Sequence, residues 1–181
     1  TSKIIGESSS DPRTGNFYII LPLGKVYGYY VDNDEYFPIS NNIDLRSKSK
    51  ATSIDQNINM VTFKEMIEQG TAVPINNLFF NFGEFGLLDQ SLPELKRVAK
   101  IIIQNGLKVE ISGHTDDVGT EERNTLISTS RANSVKDYLV KQGCKSSIFT
   151  VVGYGATRNV ASNDSEEGKK KNRRVELRFL K

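Results

Sequence analysis

The sequence has no tryptophan, one histidine, one cysteine and two methionines in 181 residues. A lone thiol, Cys144, cannot close an internal disulfide, and without a Cys or His cluster it is a poor metal ligand. It reads as a small apolar group, and no metal or redox cofactor is expected. Charge of one sign is lacking too: 24 Lys and Arg against 22 Asp and Glu leave a net +2. That balance gives no overall field to recruit nucleic acid or an anionic membrane surface. No stretch approaches the ~18 apolar residues of a membrane span, and no apolar leader follows Thr1, so the chain reads as a soluble piece of something longer. What is present, 37% hydrophobic and 25% charged residues, is enough for a core.

Residues 1–45 are rich in turn signals and β-formers. Asp11-Pro12 and Thr14-Gly15-Asn16 precede Phe17 to Leu21, and Pro22 and Gly24 precede Val26 to Val31, which predicts short strands joined by tight turns. Lys3 to Gly6 reads as a further strand whose partners precede the sequence. Residues 46–76 read as a linker with connecting strands, polar at first around Arg46, Lys48 and Lys50, with Ile58 to Val61 and Thr71 to Ile75 as short strands. Residues 77–181 form the second domain, opening with the apolar run Leu78 to Phe82 as a strand.

From there strand and helix alternate. Leu92, Leu95, Val98, Ala99, Ile102 and Ile103 keep helical spacing, with Pro93 in the first turn and Gly106 as the stop. Leu107 to Ser112 alternates as a half-buried strand. A second helix is predicted from about Gly119 to Gln142, with strands over Ile148 to Val152 and Arg174 to Leu180. The order βαβαββ implies an α/β sandwich with helices on one face of a mixed sheet.

The second helix carries the anomaly. A wheel at about 100° per residue gathers Ile127, Val135 and Tyr138 within an arc of about 80°, and Arg131 and Asn124 fall inside it, with Ser128 at its edge and Thr129, Asn133 and Lys136 opposite. A guanidinium on a core-facing arc needs a carboxylate, because leaving it unpaired out of water costs several kcal/mol. The loop from Gly113 to Gly119 offers Asp116 where a strand end meets a helix start, a usual place for a ligand pocket. Spacing leaves two readings open. Asp116 and Arg131 form an internal salt bridge, or they stand apart and bind a zwitterion, Asp116 taking an ammonium and Arg131 a carboxylate.

Other candidates are weaker. His114 has no Ser or Cys nucleophile at a recognisable elbow, and the adjacent Asp116 and Asp117 point apart, which argues against acid/base catalysis. The run Gly168 to Arg174 lacks the interleaved aromatics of a nucleic-acid platform and reads as a solvated face, although one of its arginines can reach the pocket.

The ordered elements Gly113-His114-Thr115-Asp116, Gly119, Asn124, Ser128, Arg131-Ala132, Tyr138-Leu139, Gly143, Gly153-Tyr154-Gly155, Ser162-Asn163, Gly168 and Asn172 to Glu176 resemble the OmpA-like C-terminal domain of cell-wall-anchoring envelope proteins. In that family the matching Asp and Arg bind the diaminopimelate of the peptidoglycan peptide stem. The resemblance therefore implies a non-catalytic module in which Asp116 and Arg131 hold that zwitterion, with Thr115 and Asn124 supporting by hydrogen bonds and Asn81 as a further contact. The family's Phe-Phe-Asp-Phe-Asp strand is Phe79-Phe80-Asn81-Phe82-Gly83 here, so both acidic positions are neutral.

Residues 1–45 are similar to the end of a carboxypeptidase-regulatory-like β-sandwich, through Ser10-Asp11-Pro12, Thr14-Gly15, Leu21-Pro22, Gly24, Tyr27 and Tyr36. That likeness implies no peptidase activity. The expected setting is the periplasmic side of the outer membrane, with the peptide stem as partner, other envelope proteins possible, and neither nucleic acid nor a membrane span. The alternative is an envelope scaffold that has lost wall binding. An envelope hydrolase finds no nucleophile, metal cluster or poised acid/base pair in the sequence.

Overall fold

The computed structural model describes residues 4–33, 35–81 and 83–180, so Lys3 and Phe82 of the expected strands lie outside the described residues. The chain divides into two compact units, Thr1–Tyr29 with Asn42–Ile58, and Tyr30–Asn41 with Asn59–Lys181. Strands β1 (Val26–Asn33) and β2 (Tyr36–Asp44) pair as a two-stranded sheet whose residues are divided between the two.

In the first unit the Asp11 carboxylate accepts from the backbone N–H groups of Arg13 and Thr14 at 2.8 and 2.9 Å, closing the turn the sequence marks there. Tyr27 donates its hydroxyl to the Pro22 carbonyl at 2.8 Å. Val26 to Val31 falls inside β1 as expected. Ile4 to Gly6 and Phe17 to Leu21, expected as strands, are not in a ladder; an extended run becomes a strand only when a neighbour takes its backbone groups, and here Tyr18 and Ile20 stand 82% and 97% exposed.

The second unit is a four-stranded mixed sheet under helices. Its elements are α1 (Phe63–Gln69), β3 (Ala72–Pro74), α2 (Leu92–Asn105), β4 (Lys108–Gly113), α3 (Glu121–Lys141), β5 (Phe149–Gly153), α4 (Glu166–Asn172) and β6 (Val175–Leu180), with single 3-10 turns before α2 and β5. The strand order is β3-β6-β4-β5, with β4 and β5 parallel and β6 antiparallel to both β3 and β4. The α/β sandwich is as the sequence implied, but its first strand is β3. The run Leu78 to Asn81 does not form one: Asn77 adopts φ 58°, the Ser91 hydroxyl meets the Phe79 N–H at 2.8 Å, and the Leu88 N–H takes the Phe79 carbonyl at 3.1 Å, so Phe80 makes an isolated bridge with Leu87 and joins no sheet.

Local chemistry explains the helices. Thr62 and Glu65 form a reciprocal capping box at α1, their backbone N–H groups reaching each other's side chains at 3.0 and 3.1 Å. Thr120 caps α3, with Glu121 and Glu122 in the first turn and Lys141 in the last, matching the helix dipole. The basic run read as a solvated face is α4, capped by Ser165 with Glu166 and Glu167 first and three lysines last.

Phe179, Leu177, Val175, Val109 and Ile111 of the sheet meet Met66, Leu95, Ile102, Val135 and Leu139 of the helices in one core. Helix α3 lies unusually close to the ends of β4 and β5. A Cβ at Gly113 would come within 2.0 Å of the Ser128 carbonyl oxygen, and one at Gly153 within 2.0 Å of the Thr129 hydroxyl. That approach rotates the buried stripe of α3 onto Asn124, Ser128, Arg131, Ala132, Val135 and Leu139, so Ala132 and Leu139 take the central places that the wheel gave to Ile127 and Tyr138.

The strand positions that alternate with the core residues carry paired charge. Arg178 bonds Glu110 at 2.5 Å across β6 and β4, and Arg174 bonds Glu176 at 2.7 Å.

Candidate ligand-binding site

The loop after β4 is tied down at each backbone step. His114 N–H bonds the Arg174 carbonyl at 2.9 Å, and Thr115 N–H bonds the Gly155 carbonyl at 2.9 Å, so the ends of β6 and β5 hold it from two sides. The His114 ring, 1% exposed, stacks on Tyr154 with centroids 5.4 Å apart, and Arg158 lies 3.6 Å over the other aromatic partner's ring, that of Tyr154. His114 Nε2 lies 3.3 Å from Glu176 Oε2. The hydrogen bond from His114 leads, with those of Arg174, in holding the Glu176 carboxyl down at about 2 against burial, which pushes it up. His114 is thus an anchor of the loop rather than a catalytic base.

This scaffold presents Asp116, only 6% exposed. One carboxylate oxygen accepts the Val118 N–H at 3.2 Å, and the other takes Arg173 Nη1 at 2.5 Å. Asn124, from α3, is buried and donates its amide to the Asp116 carbonyl at 3.4 Å, and so supports the loop. The Thr115 hydroxyl oxygen is buried and has no hydrogen-bond partner among the described residues. A buried hydroxyl is normally satisfied by protein, water or ligand.

Arg131 is 8% exposed and is not in an ion pair with any described carboxylate. Its Nε donates to the Glu84 carbonyl at 3.0 Å, and its guanidinium lies 4.9 Å from the Phe80 ring centroid. Burial first, and then the like charge of Arg173, pull its pKa below the ordinary value, with Asp116 pulling the other way. Of the two readings left open, the internal pair of Asp116 with Arg131 does not form: Asp116 pairs with Arg173, and the Arg131 fork is a buried cation without an anion among the described residues.

Four of the five residues singled out in the sequence therefore converge: Thr115 and Asp116 on the loop, Asn124 and Arg131 on α3. Asn81 does not join them, because its amide bonds the Glu84 carboxylate at 2.9 Å on the exposed turn beside Phe80. The sequence reading had one arginine of the run Gly168 to Arg174 reaching the pocket without saying which, and it is Arg173; it missed the Glu84 carbonyl and the Phe80 ring. Arg173 had a signal: antiparallel pairing of β6 with β4 sets Val175 opposite Gly113, so a residue just before β6 must arrive beside Thr115 and Asp116. The carbonyl of Glu84 had none, since a backbone acceptor leaves no mark in composition or period. Among the described residues no group of His, Cys, Asp and Glu could hold a metal ion, and no helix is long and apolar enough to cross a membrane.

A mixed sheet under two long helices, with a loop carboxylate and a helix arginine converging at a strand end, defines a binding module. The OmpA family pattern matches residues 79–173, and the chain belongs to that family. A peptidoglycan-associated lipoprotein of Pseudomonas putida is 35% identical over 61% of this chain and 67% of its own length. Outer membrane porin F of Pseudomonas fluorescens is 41% identical over 54% of this chain, which spans only 30% of that relative. The peptidoglycan-binding protein ArfA of Mycobacterium tuberculosis is 40% identical over 53% of this chain and 30% of its own. Among solved structures, the cell wall anchor of the T6SS from Pseudomonas aeruginosa superposes with TM-score 0.53 at 30% identity, covering 61% of this chain and 80% of that one. The periplasmic domain of Helicobacter pylori MotB does so with TM-score 0.54 at 28% identity over 61% and 80%. Three of these relatives, the lipoprotein, ArfA and the T6SS anchor, are named for peptidoglycan association, peptidoglycan binding or wall anchoring, in keeping with a non-catalytic module.

Proposed function

We propose that this chain binds peptidoglycan through the diaminopimelate of the peptide stem and so anchors an envelope protein to the cell wall from the periplasmic side of the outer membrane. The observation that carries the reading is Arg131: a guanidinium 8% exposed, held at Nε by a backbone carbonyl, with no carboxylate among the described residues on its fork. A buried cation of this kind is stabilised by an anion supplied from outside. The free end of diaminopimelate brings a carboxylate for Arg131 and, on the same carbon, an ammonium for Asp116. Asp116 keeps room for it, since its oxygens use one bond each, to Val118 and Arg173, of about four acceptor positions on a carboxylate. The Thr115 hydroxyl supplies a further hydrogen bond, while Asn124 positions the loop from behind. Asn81 acts on the turn that carries Glu84 and not on the ligand.

The relatives named for peptidoglycan binding support the same conclusion from outside the site. A scaffold without wall binding would need Arg131 satisfied internally, and it is Asp116 with Arg173 that forms the internal pair. The test is co-sedimentation with purified peptidoglycan. Asp116→Ala and Arg131→Ala, each shown folded by circular dichroism, are expected to stay in the supernatant where the parent chain pellets. Pelleting equal to the parent by both variants overturns the proposal.

A further inference from the structure

Arg123 occupies the third position of α3, after the cap Thr120. A cation there works against the helix dipole, which favours negative charge in the first turn. Nor is it compensated: among the described residues its side chain makes neither an ion pair nor a hydrogen bond, while its N–H reaches the Thr120 hydroxyl at 3.3 Å. A local rule broken without a return inside the fold is a mark of a functional position.

Its placement says which function. A Cβ built on Gly83 would lie 3.6 Å from Arg123 Nη2, and one on Gly119 would lie 3.8 Å from its Cδ. The side chain thus runs between the two loops that frame the pocket. Gly83 precedes Glu84, whose carbonyl holds Arg131 at 3.0 Å. Arg123 and Arg131 therefore reach adjacent residues of one turn, Arg123 beside Gly83 and Arg131 at the Glu84 carbonyl, with successive Cα atoms there about 3.8 Å apart. Glu84 is the acid nearest to that position in the chain, and its carboxylate is engaged by the Asn81 amide. Glu121 and Glu122 share the first turn of α3 with Arg123 but form no ion pair with it.

We propose that Arg123 is a second anion subsite, at the mouth of the pocket, for a carboxylate on the ligand residue next to the one held by Asp116 and Arg131. This rests on the wall-binding reading above. In a peptidoglycan stem the residue before diaminopimelate is a γ-linked D-glutamate, whose α-carboxylate is free or amidated. Arg173 is shared between Asp116 and, at 3.9 Å, Glu166, so Arg131 is the pocket cation with no described carboxylate, and Arg123 extends that positive site outward. The subsite makes the chain a reader of amidation: it takes the free carboxylate and gains nothing from the carboxamide.

The experiment is isothermal titration with two soluble muropeptides that both contain diaminopimelate and differ only in D-glutamate against D-isoglutamine. The parent chain is expected to bind the free-carboxylate peptide about tenfold more tightly, the effect of one charge-assisted hydrogen bond. Arg123→Gln is expected to bind both peptides at the weaker level, and Arg131→Lys to lose both. Equal binding of the two peptides by the parent, or discrimination surviving in Arg123→Gln, overturns the subsite and leaves wall binding intact. No binding of either peptide by the folded parent overturns the wall-binding reading and the subsite together.

Discussion

Replacing Glu176 by Gln should flatten the acid limb of the protein's stability curve. The Glu176 carboxylate accepts from His114 Nε2 at 3.3 Å and from Arg174 Nε at 2.7 Å, and with only 15% of its side chain exposed it is little screened. These bonds bring its pKa from an ordinary 4.5 to about 2, the His114 bond first and burial opposing. At about 1.4 kcal/mol per pKa unit this is roughly 3 kcal/mol. The folded value is depressed, so the contribution is fully present above pH 4.5 and is lost as pH falls toward 2. The parent chain is expected to lose about 3 kcal/mol over that window beyond what Glu176→Gln loses, with the two converging near pH 2. Other depressed carboxyls, Asp44 at about 2 among them, act equally in both proteins and cancel in the difference. The assay is urea denaturation followed by circular dichroism at half-unit steps from pH 2 to 7, because the chain has no tryptophan to report by fluorescence. Parallel curves for parent and variant refute the reasoning. The same bonds hold the loop that presents Asp116, so ligand affinity should fall in that window too.

Gly113→Ala should destabilise by roughly 1–3 kcal/mol or more, because its Cβ would meet the Ser128 carbonyl oxygen at 2.0 Å; a shift in the urea midpoint measures it. Arg173→Ala leaves Asp116 buried without its ion pair and should cost about 1–3 kcal/mol, less than a fully buried pair because Arg173 is 32% exposed, read by the same denaturation. Cys144 is 4% exposed and burial pushes its thiol pKa up, so it should resist alkylation by iodoacetamide in the native state and react promptly in urea.

The elements with a strong period were legible in the sequence. The helix expected from Leu92 and stopped at Gly106 is α2, and the alternation of Val175, Leu177 and Phe179 is the buried face of β6. The misplaced elements share a cause, the competition for backbone partners. Leu78 to Phe82 has strand composition, yet the Phe79 groups go to the Ser91 hydroxyl and the Leu88 N–H, and three residues at Ala72–Pro74 win the place beside β6. In the site, Arg131 was legible because charge on an apolar arc is costly, and Asp116 because a strand end met a helix start. Which charge pairs with which was not. Asp116 is 57 positions from Arg173 and closer in sequence to Arg131, and only the antiparallel pairing of β4 with β6 brings the distant one to hand.

The central claim is that Arg131 and Asp116 clamp a zwitterion. Its most direct test is isothermal titration of the parent chain with a muropeptide containing diaminopimelate and with its lysine counterpart, which keeps the ammonium and lacks the carboxylate. The account predicts binding of the first, little or none of the second, and loss of the first in Arg131→Ala. Equal affinity for the two peptides, or silence with both in folded protein, contradicts it.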